Sequence, residues 1–166
     1  MNLGVAILGV FGAVWCGWGL WLWRGGPDVW LALPVAAALA FLAGARAARR
    51  APVDPQFHKR LTRLFRIASI IEVAAIWVAV YLLGRNGRAD LAPHAIAMIV
   101  GLHFIPVAWM APLPRYFLVA GAMVMVATGA LILPASVQTI AVCIGSAAVL
   151  WTTAASLLIV PTERRA

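Results

Sequence analysis

The 166-residue chain is 64% hydrophobic and 11% charged, with 13 Lys+Arg against 5 Asp+Glu and a formal net charge of +8. Soluble domains average about half apolar and a quarter charged, so this composition excludes a soluble enzyme or a free nucleic-acid-binding module. Six spans of about 20 residues consume about 120 residues, and the expectation is a single all-α transmembrane domain over residues 1–166, six helices in one bundle.

The first apolar run, Leu3 to Trp23, stops at Arg24-Gly25-Gly26-Pro27-Asp28, a turn cluster that no continuing helix tolerates. It lacks the basic start and short apolar core of a cleaved signal peptide and reads as span 1. The second run, Val29 to Ala45, is short and carries Pro34, which is tolerable near a helix start where the missing N–H has no partner anyway.

Seven cations follow between Arg46 and Arg66. Within that stretch Asp54-Pro55 reads as a helix start, since Asp accepts from the first free N–H groups and Pro suits the first helical position. Phe57, Leu61, Leu64 and Phe65 then share one face, with cations around the rest. The pattern predicts an amphipathic segment over 55–63 that lies along the headgroup layer and runs without a break into span 3, about 64–83. Arg49, Arg50, Lys59, Arg60 and Arg63 are the candidate contacts to anionic lipid headgroups.

Span 4 is expected over 91–110, closed by Pro112-Leu113-Pro114-Arg115. The 45 residues from Tyr116 to Val160 carry no charge. At about 1.5 Å per residue they are about twice as long as a bilayer core is thick. Pro134-Ala135-Ser136 is the credible turn, giving spans 5 and 6 over 116–133 and 137–160. With both termini cytoplasmic, ten Lys/Arg fall on inner segments and three, Arg24, Arg85 and Arg88, on outer ones. The positive balance therefore reports topology, and no nucleic-acid partner is expected.

Glu72 is the most informative residue, because it lies about 12 Å into span 3, where an ionised carboxylate is expensive. Its helical face carries Ala68, Ser69, Ala75, Ile76 and Ala79, mostly small, as on a face pressed against another helix. Span 4 returns in the opposite direction and brings His103 to about 10 Å depth. A carboxyl and an imidazole brought together in low dielectric can exchange a proton, so Glu72 and His103 form a candidate proton or cation site, with a purely structural carboxyl and histidine as the plain alternative. Pro106 frees the Leu102 carbonyl beside His103. His94 is expected at the outer surface in an i,i+4 pair with Asp90, on the opposite side of the helix from His103. Neither a haem nor a metal site is expected, and no cofactor.

Trp21, Trp23, Trp30 and Trp109 sit where interfacial belts require them. Trp15, Trp18, Trp77 and Trp151 lie deeper and, with Ser69, are candidate lining for an apolar ligand, although packing explains deep aromatics as readily. Cys16 and Cys143 stand at similar depths and read as small apolar residues rather than a disulfide. The glycines of spans 1, 5 and 6 suit homo-oligomer contacts and internal packing equally. No phosphate loop, Ser/His/Asp set, His-Glu-x-x-His or Cys-x-x-Cys is present, so no enzyme activity is expected.

The segment Met98-Ile99-Val100-Gly101-Leu102-His103-Phe104-Ile105-Pro106, followed by Pro112 and Tyr116, resembles the Gly-Leu-His-Phe-x-Pro helix of an uncharacterised family of small bacterial multi-pass membrane proteins. The resemblance implies a bacterial inner (cytoplasmic) membrane location and transfers no activity. The functional expectation is a small transporter or channel-like protein, or a subunit of one, with a Glu72/His103 site. The alternative is a membrane-embedded binding or sensory module for a lipid, quinone or other apolar ligand.

Overall fold

The computed structural model describes residues 2–48, 55–110 and 115–159, with side chains of the second stretch described over 62–109. Every regular element among them is helical: α1 (Leu3–Arg24), α2 (Ala32–Ala47), α3 (Pro55–Arg85), α4 (Ala92–Met110), α5 (Arg115–Gly129) and α6 (Ala135–Ile159). Three single 3-10 turns, Val29–Leu31, Ala89–Leu91 and Ala130–Ile132, lead into α2, into α4 and out of α5. Six of the described helical segments, of 18 to 25 residues, are long and apolar enough to cross a membrane. This is the make-up of a multi-pass membrane protein.

The helix ends follow from local chemistry. Asn2 caps α1 by accepting from the Val5 N–H, and Gly25, at φ 73°, supplies the left-handed residue that ends it. Asp28 starts the next helical stretch by accepting from the Val29 N–H at 2.6 Å and from Arg24 Nε at 2.9 Å. Arg24 thereby holds the Asp28 carboxyl below its ordinary carboxylate value, with the Val29 N–H adding to the effect. Pro34 is the third residue of α2, where its missing N–H costs no helical bond. The α5–α6 turn is fastened by Gln138, whose amide donates to the Leu131 and Leu133 carbonyls at 3.1 and 2.7 Å.

α3 begins at Pro55 and runs unbroken for 31 residues, as expected from the Asp54-Pro55 start. Arg49, Arg50 and Asp54 lie outside the described residues, as do the side chains of Phe57, His58, Lys59, Arg60 and Leu61. Arg63 is described and exposed.

The chain divides into two compact units. The first is discontinuous, joining Met1–Pro52 to Cys143–Ala166. Here the Asn2 N–H donates to the Ala45 carbonyl at 2.6 Å, which pins the start of α1 to the end of antiparallel α2. Glycine makes the close approach possible: a Cβ on Gly12 would stand 2.5 Å from Trp151 Cδ1, and one on Gly9 would strike Phe41. The Trp151 indole fills the notch these glycines leave, stacks on Phe41 at 6.5 Å and donates to the Gly9 carbonyl at 3.1 Å.

The second unit is continuous, Val53–Val142, and its tightest packing is α4 on α5. At Gly101 the two backbones nearly touch. A Cβ there would lie 2.8 Å from Met123 Cβ and 3.3 Å from both the Ala120 carbonyl oxygen and the Val124 nitrogen. On its other side α4 packs against α3. The face of α3 turned away from α4 is exposed, with Ile70, Ile71, Trp77 and Tyr81 each more than 60% accessible.

Candidate functional site

The seam between α3 and α4 holds the expected polar pair. On α3, Ala68, Ser69, Glu72, Ala75, Ile76 and Ala79 are the partly covered residues, flanked by exposed Ile71, Val73, Trp77 and Val78. Small side chains on that face let α4 approach closely enough for one long polar side chain to reach across.

His103 on α4 meets it. His103 Nδ1 lies 3.5 Å from Glu72 Oε2, with the two side chains 8% and 18% exposed. This separation is within ion-pair reach and longer than a well-formed hydrogen bond. The Ala68 carbonyl, one turn before Glu72, is a further acceptor for the imidazole. The ring therefore lies against two acceptors on one helix, a carboxylate and a main-chain carbonyl. In that setting either a neutral imidazole beside a protonated carboxyl or an imidazolium beside a carboxylate is electrically balanced, and one proton converts each group to its other form.

Aromatic rings enclose His103. Phe65 meets it edge-on at 5.9 Å, Phe104 lies at 6.1 Å, and Phe104 in turn stacks on buried Tyr116 of α5 at 5.8 Å. Spacing explains the run, because Phe65 is two turns before Glu72 on the same face of α3. Sequence reasoning placed Tyr116 in the resembling segment without seeing this stack. Pro106 is inside α4, leaving the Leu102 carbonyl without its helical donor next to His103.

The other candidate residues do not gather here. Ser69 is half-buried on the α3 face. Trp77 is 71% exposed on the opposite face of α3. In the first unit Trp15 is buried and stacks on Trp18 at 5.7 Å, while Trp151 occupies the Gly9/Gly12 notch. Trp18 also lines a groove of about 450 Å³ with Gly17, Trp21, Leu22 and Leu31. Cys16 and Cys143 are both buried free thiols.

His94 departs from expectation. It is 6% exposed rather than at the surface, and neither ring nitrogen has a hydrogen-bond partner among the described residues. Asp90 pairs with Arg88 at 4.0 Å, with both side chains more than 60% exposed. The reason is the face His94 shares with Ala97 and Gly101, the face that Gly101 presses onto α5. Ser146 of the first unit is likewise fully buried with its hydroxyl unpartnered among the described residues.

No group of three or more His, Cys, Asp or Glu side chains among the described residues is placed to hold a metal ion. Comparison with known protein families, with curated proteins and with solved structures finds no match to the chain.

Proposed function

We propose that the chain is a small bacterial inner-membrane transporter or channel-like protein, or a subunit of one, whose working site is the Glu72–His103 pair. The observation that supports this reading is the 3.5 Å approach of two titratable side chains in the middle of apolar helices. Intramembrane carboxylates and imidazoles are costly, and a pair that can share one proton turns that cost into an exchange site. Both termini and the basic Arg46–Arg66 stretch lie in the cytoplasm in this reading, because ten of the thirteen cations then follow the positive-inside rule. Those cations rest against anionic headgroups.

The test is reconstitution in liposomes with an imposed pH gradient and a trapped pH dye. Proton-linked flux by the native protein that is lost in Glu72→Gln and in His103→Gln supports the proposal. Equal flux in all three overturns it. Reporters fused at Leu133 and after Ala166 check the topology: a periplasmically active C-terminal fusion reverses it. Were flux absent throughout, the alternative of an apolar-ligand module would rest on the Trp18–Trp21 groove.

A further inference from the structure

We propose that His94 is a second proton-accepting site, on the opposite side of α4 from the Glu72–His103 pair and served by Asp90 at the α3–α4 turn. It goes beyond the proposed function, which uses neither residue. The primary observation is an imidazole that is 6% exposed, with both nitrogens inaccessible and unpartnered among the described residues. Buried polar groups are nearly always hydrogen-bonded, and each exception in a folded protein calls for a physical reason. An imidazole serving only as filler is readily replaced by an apolar ring, whereas one that takes up a proton needs a nitrogen lone pair kept free.

The second observation is what surrounds it. Nine residues separate His94 from His103, which turns their side chains to nearly opposite sides of α4. Counting antiparallel from the Gly101–Met123 contact, the α5 residues at the level of His94 are buried Ala127 and Ala130, whose side chains neither donate nor accept. The charged and titratable side chains of α5, Arg115 and Tyr116, are at its other end. From α3 the nearest charge in sequence is Arg85, at the last helical position. From the 3-10 turn comes Asp90, four residues before His94, whose charge acts on the ring through space. Asp90 is held by Arg88 at 4.0 Å and is 67% exposed.

These positions define a transfer. Asp90 takes a proton from water, and passing it to the imidazole leaves a carboxylate beside an imidazolium, so charge is conserved and the new cation has its counter-ion one turn away. Arg88 is released from Asp90 as this happens. Asp90 thus exchanges one cationic partner for another, and the proton moves from an exposed side chain to a buried one.

The experiment is 15N NMR of histidine-labelled full-length protein in lipid nanodiscs, with His94 and His103 assigned from His94→Gln and His103→Gln spectra. The native His94 signal is expected to titrate reversibly with the fold intact. Asp90→Asn and Arg88→Gln should displace its midpoint in opposite senses, by roughly half a pH unit or more, and neither should move His103. A His94 signal fixed in one state from pH 8 to pH 4.5 would overturn the proposal, and so would a midpoint indifferent to both variants. His94→Phe provides a check that needs no titration: a fully folded variant with unchanged proton flux also overturns it. Failure of the Glu72–His103 reading appears separately, as a His103 signal that ignores Glu72→Gln.

Discussion

His103 Nδ1 faces Glu72 Oε2 at 3.5 Å across a seam of alanines, one helix returning past the other. Depth alone brings the two together, Glu72 counted in from one end of α3 and His103 counted back from the same end of α4. Because the carboxyl is the closest charged group to the ring, Glu72→Gln is expected to displace the His103 titration midpoint by roughly one unit. A His103 midpoint unchanged within error in the NMR titration would show the pair to be uncoupled.

Gly101 sets how near α4 comes to α5. Gly101→Ala places a methyl against Met123 and two backbone atoms that cannot yield, and is expected to destabilise the protein by about 1–3 kcal/mol. Gly121 in α5 is different, since a methyl group added there would meet nothing within 4 Å. Gly121→Ala should therefore stabilise by up to about 1 kcal/mol through helix propensity. Denaturant titration in detergent distinguishes the two signs.

Trp151 and Gly12 are expected to be strongly coupled. Trp151→Phe keeps a ring in the notch and deletes the donor to the Gly9 carbonyl, costing about 1 kcal/mol. Gly12→Ala alone drives a methyl into the indole, for about 1–3 kcal/mol. The double variant should cost less than the two added, since the smaller ring leaves room for the methyl. Strict additivity would show that the indole does not occupy the notch.

Asp28 makes the α1–α2 turn sensitive to acid. Its folded pKa is depressed by Arg24 and by the Val29 N–H. Its stabilisation is therefore present above the ordinary carboxylate pKa and is lost as pH falls through the lower, folded value. Amide exchange at Val29 and Trp30 should quicken, relative to its intrinsic rate, as pH falls into that range. Asp28→Asn should abolish the change while leaving the exchange at Leu82 and Leu83 unaltered.

The helices were legible because 45 uncharged residues, an Asp-Pro start and Gly-rich turns leave little freedom in where spans begin and stop. Glu72 and His103 were legible for a related reason: depth follows from counting residues, and small neighbours mark a packed face. The burial of His94 was not. α4 is apolar on nearly every side, so its sequence does not say which face α5 covers, and an acid four residues earlier imitates a surface pair. The deep tryptophans failed alike. Equal depth put Trp77 and Trp151 in one class, yet one projects from the outer face of α3 and the other is drawn onto Gly9 by a bond spanning 142 positions.

That bond also orders events during synthesis. The Val53–Val142 unit is one uninterrupted stretch and has every contact partner in hand before Cys143 is made. The other unit has its first two helices in place early, yet the Gly9/Gly12 notch stays vacant until the sixth helix delivers Trp151. Through most of translation the oldest part of the chain is therefore the least finished, a pair of helices waiting for a ring encoded near the far end of the message.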